Sequence, residues 1–375
     1  LIGDPAMKLI LPNNQVVVNQ IKTLSGVDTV RALSQVTITG QIQNNGTPLT
    51  NFNGTGFVTV YDKPQNLVTL GNPNNNTNPP APPYSYSERD NKLFNGSFSI
   101  AQGSFQFDFI APDNVISNYD KGKLSFYATT PDGATATGGY TNFIVGGVEP
   151  APIPDTTPPT IKLFLSDSTF VNGGTVSSNT QLYAQLFDKS GINTASVNPQ
   201  KDIIATLDNK WSYVLNDYYT ANIDNFTKGT ITYPLDTLRS GRHQLTLTAS
   251  DTYNNTASST INFIVAEGSG IVVTNFINYP NPFQSGLETI FQFNQTRAGE
   301  DLEATLTIFD LYGNIIATVN YSIPASTYEV KLGAWDGKNT DGTKFSPGLY
   351  VAHVSVRSLV DGTQNEQSTK LIIMN

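Results

Sequence analysis

Asp188, Asp251 and Asp310 each stand two residues beyond the last inward side chain of an apolar alternating run, after Leu182-Ala184-Leu186, Leu245-Leu247-Ala249 and Leu306-Ile308. A carboxylate at a strand exit can accept the backbone amides of the adjoining turn, which is the common use of Asp and Asn there. Two such carboxylates meeting at one rim can instead hold Ca²⁺ through oxygen ligands. Asp188, Asp251 and Asn255 are the candidate calcium set. The loop 336–341 also offers oxygens at a compatible spacing, but it lacks the regular EF-hand pattern and reads more simply as a turn. Apart from a structural Ca²⁺, no cofactor is expected.

Other chemistry is scarce. His243 and His353 are the only imidazoles, and both lie in strand patterns; His353 alternates with Val351, Ser355 and Arg357 on a solvent phase, as a surface histidine does. No Gly-x-Ser-x-Gly elbow, Walker loop or His-Glu-x-x-His motif is present. The absence of cysteine removes disulfides, thiolate metal sites and a cysteine nucleophile. The chain by itself therefore carries no catalytic constellation.

The positions that must hold these residues read as strands. The 375 residues include 30 Gly, 22 Pro, 17 Tyr and 20 Phe with only 14% charged residues, a composition for short aromatic strands and turns. The expected fold is all-β, a tandem of three Ig-like β-sandwiches with almost no helix. A net charge of −9 disfavours nucleic acid, whose phosphates need concentrated Lys and Arg. Runs such as Phe263-Ile264-Val265-Ala266 fall far short of the roughly 20 residues of a transmembrane helix.

The first sandwich is expected over 16–147. Val36, Ile38 and Ile42 share one phase, as do Phe105, Phe107 and Phe109, whose strand should be central. An Asn/Pro-rich insertion at 71–83 cannot be a strand, because proline donates no ladder bond. A Pro-rich, semi-rigid connector at 148–159 leads to a second sandwich over 160–266. The linker 267–270 is short and flexible, and a third sandwich spans 271–375, with Trp335 as core anchor and Asp310 and Gly313 forming its hairpin turn.

Three signals in the last part stand together: Tyr279-Pro280-Asn281-Pro282-Phe283, the Asp310-Gly313 hairpin, and Gly348-Leu349-Tyr350 followed by a final strand at Lys370-Leu371-Ile372-Ile373. At that spacing they resemble the C-terminal sorting domain of the Bacteroidetes type IX secretion system. The resemblance implies a small Ig-like sandwich that serves as an address and is held by an outer-membrane β-barrel of the PorV type. Tyr279, Pro280, Asn281, Pro282, Phe283, Gly348, Tyr350 and Lys370 are its expected docking residues.

The opening Leu1-Ile2-Gly3-Asp4-Pro5-Ala6-Met7-Lys8-Leu9 is similar to the closing segment of the gingipain-like cysteine peptidase fold, so residues 1–15 read as the remnant of an upstream domain and the chain as cut from something longer. The Asp155-Thr156-Thr157-Pro158-Pro159 run resembles the start of bacterial Ig-like repeats. Both ends together resemble the PorU-like surface sortases. That resemblance implies a parent cysteine endopeptidase and transpeptidase at the cell surface, outside the outer membrane. It would cleave the C-terminal domains of secreted cargo, attach cargo to lipopolysaccharide, and work among other attachment-complex proteins. Two alternatives stand beside it: the end of a type IX cargo protein such as a surface peptidase or adhesin, and an adhesive or carbohydrate-binding Ig array, for which an exposed aromatic platform is expected. Thr29, Thr156, Ser168 and Thr237 lie in Asp-Ser/Thr triplets resembling the O-glycosylation signal of exported Bacteroidetes proteins.

Overall fold

Alternation of inward and outward side chains organises nearly every strand of the chain. A computed structural model describes residues 12–71, 82–115, 117–195, 198–235, 237–284, 286–338 and 342–374. The opening nonapeptide, most of the Asn/Pro-rich insertion and residues 339–341 lie outside them. Among the described residues, helix is limited to two 3₁₀ turns, Pro199–Lys201 and Asn216–Tyr218. Among the described residues no helix is long and apolar enough to cross a membrane.

Three hydrophobic clusters form. In the first sandwich, Ser104–Ile110, Gln35–Asn44, Asn14–Thr23, Thr135–Tyr140, Lys123–Thr129, Gly54–Tyr61 and Lys92–Ala101 pair in that order as one continuous row that folds over the core, with Asn14–Thr23 joined to Thr135–Tyr140 by the parallel pairs Asn14↔Ala136 and Gln15↔Thr137. Phe105, Phe107 and Phe109 are buried, and Phe98 lies 4.6 Å from Phe105 and 5.0 Å from Phe107, ring to ring. Two of these rings lie over glycines on the paired strand, Phe105 over Gly40 and Phe98 over Gly56. A Cβ there would meet the ring at 2.3 Å and 2.2 Å. Only glycine leaves that space.

The strand Ser104–Ile110 is not central. It pairs along its length with Gln35–Asn44 alone and touches Lys92–Ala101 only at Ser104↔Ala101 and Phe105↔Ile100. Its phenylalanines are buried by the facing layer, so an apolar phase reports burial on one face and not the number of strand neighbours.

The second sandwich sets Thr160–Leu165, Thr180–Phe187, Asn225–Leu235 and Tyr219–Asn222 against Thr175–Val176, Thr256–Val265, Gly241–Ser250, Ile204–Leu207 and Trp211–Val214. Its first layer continues the row of the preceding sandwich through one parallel pair, Ala221↔Gly96. The Asn95 side chain donates to Tyr219 O at 3.1 Å, and the Ser99 N–H to the Asp224 carboxylate at 2.8 Å.

The third sandwich packs Val273–Tyr279, Thr289–Gln295 and Glu329–Trp335 on Phe283–Gln284, Gln364–Met374, Gly348–Ser358, Leu302–Phe309 and Ile315–Ile323. Trp335 is 5% exposed and sits 5.9 Å from Phe283, 6.3 Å from Phe291 and 5.7 Å from Phe345, ring to ring. One residue of this unit leaves its own core: Tyr328, fully buried, belongs to the hydrophobic cluster of the second sandwich.

Candidate functional site

The turns explain the carboxylates first. Asp188 accepts the Ser190 N–H at 2.8 Å and its hydroxyl at 2.7 Å. Asp251 accepts the N–H groups of Tyr253 and Asn255 at 2.9 and 2.8 Å, and the Asn255 side-chain amide at 2.7 Å. Asp310 repeats that arrangement with Tyr312 and Asn314 at 2.9, 2.8 and 2.8 Å. Gly313, at φ +86°, completes the hairpin in the left-handed region that glycine adopts freely.

Tertiary packing then separates the three. Asp310 is solvated, and the Asn314 side chain with the turn amides holds its carboxyl below the usual range. Asp188 and Asp251 are buried and meet at one rim, where a third carboxylate, Asp155 from the Pro-rich connector, joins them. One oxygen from each lies within 4.8 Å of the others. Burial, and then the like charges of Asp251 and Asp155, push Asp188 up to about 6 against the partly opposing bonds from Ser190. Burial also raises Asp251. Three carboxylates this close can be relieved by a proton or by a divalent cation.

Asp155 carried no sequence signal of its own, since only the fold brings the connector across the rim. The Asn255 side-chain amide donates to Asp251 and to Asp155 O at 3.2 Å, tying connector to turn. In the loop 336–338, the Asp336 carboxylate is engaged by the Lys338 ammonium, which lowers its pKa.

The expected docking residues gather around the final strand. The bonds Tyr279–Pro280 and Asn281–Pro282 are both cis. The Asn281 side chain donates to Lys370 O at 2.7 Å and accepts the Ile372 N–H at 3.0 Å, as a neighbouring strand would. Phe283↔Ile373 and Gln284↔Met374 continue the contact as a short parallel ladder. Tyr279 is 77% exposed, and Pro280, Asn281, Pro282, Gly348 and Lys370 are exposed. Phe283 is buried in the core, so it holds the segment and cannot itself touch a partner. Tyr350 is half-buried, its hydroxyl donating to Ser346 O at 2.8 Å.

A surface feature missed in the sequence lies beside them. On the outward face of the five-stranded layer, Ile315, Phe309 and Val351 are lateral neighbours, and Leu349 pairs with Ile372 on the same face. Ile315, Leu349, Val351 and Met374 are exposed, as are Leu311 and Tyr312 in the adjoining turn. His353 flanks this stripe, 3.5 Å from the Glu366 carboxylate. His243 lies in the second sandwich, bonded through both nitrogens to Asp208 and Arg239 O at 2.7 Å. Of the glycosylation candidates, Thr156, Ser168 and Thr237 are exposed, and Thr29 is half-buried in the strand Thr29–Ala32.

The fold and these surfaces define an all-β array of sandwiches. No family model matches the sequence, and no curated protein matches it. Among solved structures, dimeric latent PorU from Porphyromonas gingivalis aligns over 99% of this chain at 26% identity with a TM-score of 0.42. This chain spans 35% of that one. A tetra-tandem repeat from the extending region of a large adhesion protein aligns over 96% of this chain and 74% of its own, at 12% identity and TM-score 0.22. Fibronectin(III)-like modules of CbhA from Clostridium thermocellum cover 57% of this chain and 94% of their own, at 10% identity and TM-score 0.23.

Proposed function

We propose that the chain is the non-catalytic C-terminal part of a type IX secretion surface sortase of the PorU kind. It spaces and orients an upstream cysteine peptidase domain. Its third sandwich docks the enzyme on an outer-membrane β-barrel of the PorV type, outside the outer membrane. Cleavage of cargo sorting domains and transfer of cargo to lipopolysaccharide belong to the parent enzyme. The observation that carries the docking role is the apolar stripe Ile315-Phe309-Val351-Leu349 on a solvent face, next to the Asn281 clamp on the final strand. Contiguous exposed apolar surface of this kind supports an interaction site.

Co-purification from outer membranes of the native producer tests it. Leu349→Asp with Val351→Asp is expected to release the protein from a β-barrel partner while leaving its melting temperature unchanged. Retention of the partner by that variant refutes the docking surface. A mature surface protein lacking residues 271–375 would favour the cargo alternative. The same reading expects O-linked sugars at Thr156, Ser168 and Thr237; a native intact mass equal to the bare polypeptide removes them.

A further inference from the structure

The second sandwich carries a basic, aromatic groove that neither the docking role nor the carboxylate cluster uses. Trp211 opens the outermost strand of its layer, Trp211–Val214, and is 56% exposed. Register places Trp211 opposite Leu207 and Tyr213 opposite Ala205, both core residues, so the two aromatic side chains overhang the open side of the sandwich. The Tyr213 ring lies tilted 5.4 Å from that of Tyr233 of the other layer, and Tyr218 meets Tyr233 edge-on at 4.8 Å.

Beneath Trp211 lies a groove of about 490 Å³ whose polar lining comes from Asp208, Lys210, Thr237, Arg239 and His243. A second groove, of about 750 Å³, shares Asp208 and His243 and adds Arg242, Gln244 and Asn262. The His243 ring stacks 5.4 Å from Phe263 on the inner phase of the layer, whereas Arg242, Gln244 and Asn262 alternate with these residues and line the opposite, outward face.

Charge selects the occupant. The protein is acidic overall, yet Lys210 and Arg239 both line the groove under Trp211. The carboxylate lining this groove, Asp208, is committed internally: its two oxygens accept His243 Nδ1 at 2.7 Å and the Gln244 N–H at 2.9 Å. His243 Nε2 donates to Arg239 O at 2.7 Å, fixing the loop that presents the guanidinium. The Lys210 ammonium stands over one face of the Trp211 ring, 5.1 Å from its centroid, which sets a positive charge on the indole. A planar aromatic surface suits the apolar C–H face of a sugar ring, and the flanking cations suit an acid group on it.

The geometry points to a binding site for an acidic oligosaccharide, with a sugar ring on Trp211 and its carboxylate or equivalent anion on Lys210 and Arg239. The site is independent of the sortase reading and separate from the surface proposed to meet a barrel.

Oligoguluronate as the acidic probe and dextran oligomers as the neutral one test it on the full chain, by calorimetry and by tryptophan emission. The chain has two tryptophans, and Trp335 is buried, so the emission change reports Trp211. Oligoguluronate is expected to bind saturably and dextran not. Trp211→Ala, and separately Lys210→Ala with Arg239→Ala, are each expected to weaken binding at least about tenfold. The melting temperature should hold, because all three side chains are exposed. No binding of oligoguluronate, equal binding of dextran, or affinity that survives both sets of substitutions overturns the assignment.

Discussion

The ring of Tyr328, from the third sandwich, lies 5.0 Å from that of Phe170 in the second, and its backbone N–H donates to the Asp167 carboxylate at 2.7 Å. The next residue continues the clasp, with the Glu329 N–H donating to the Thr169 hydroxyl at 2.9 Å. A large side chain buried in a foreign core couples the stability of both units. Tyr328→Ala is therefore expected to cost about 3 kcal/mol or more and to split one cooperative calorimetric transition into two. A single unshifted transition would contradict the coupling.

Gly174 provides an orthogonal check on the same clasp. A Cβ at this position would lie 2.2 Å from the Tyr328 hydroxyl oxygen and 2.9 Å from Val171 O. Gly174→Ala should destabilise the protein, and less so in a Tyr328→Ala background, since residues in contact do not contribute additively. Denaturant midpoints of the two single variants and the double variant measure this; strict additivity would separate the two residues.

Trp335 holds the third sandwich from within, against Phe283, Phe291 and Phe345. Trp335→Ala is expected to cost about 3 to 5 kcal/mol and to lower the melting temperature of the transition that this sandwich shares with the second. An unchanged melting curve would remove Trp335 from the core.

Asn281 stands in for a strand beside Lys370–Ile372 through its two side-chain bonds. Alanine there leaves the Ile372 amide at a bare sheet edge. Amide hydrogen exchange at Ile372 should accelerate at least about tenfold, as the loss of roughly 1.4 kcal/mol of protection implies. Unaltered exchange would show that the Phe283–Gln284 ladder suffices to close this edge.

The Asp155-Asp188-Asp251 rim makes stability depend on pH with a sign opposite to that of an ordinary paired carboxylate. In chelator, native Asp188 keeps its proton up to about 6, whereas the unfolded chain releases it near 3.8. The native state thus binds the extra proton between those values, and stability falls as pH rises from about 4 to about 6, then levels. Asp188→Asn should flatten that slope. At pH 7 excess calcium is expected to raise the Tm and chelator to reverse it; a Tm indifferent to both would leave the proton as the only relief.

The sequence alone determined the fold class and the faces of the strands. Inward placement every second residue is a local property, so Leu182-Ala184-Leu186 and Leu302-Ala304-Leu306-Ile308 declared their buried faces without knowledge of their neighbours. The Asx turns at Asp188, Asp251 and Asp310 were legible for the same reason, because each bonds within four residues of itself. Only the tertiary structure decided what lay across the chain: that Asp155 joins Asp188 and Asp251, that Tyr328 sits in another sandwich's core, and that Trp211 stands on an outermost strand. Those outcomes depend on which strands pair and where a sheet ends. Such contacts are fixed by the summed burial of many distant residues, and no short stretch of sequence encodes them.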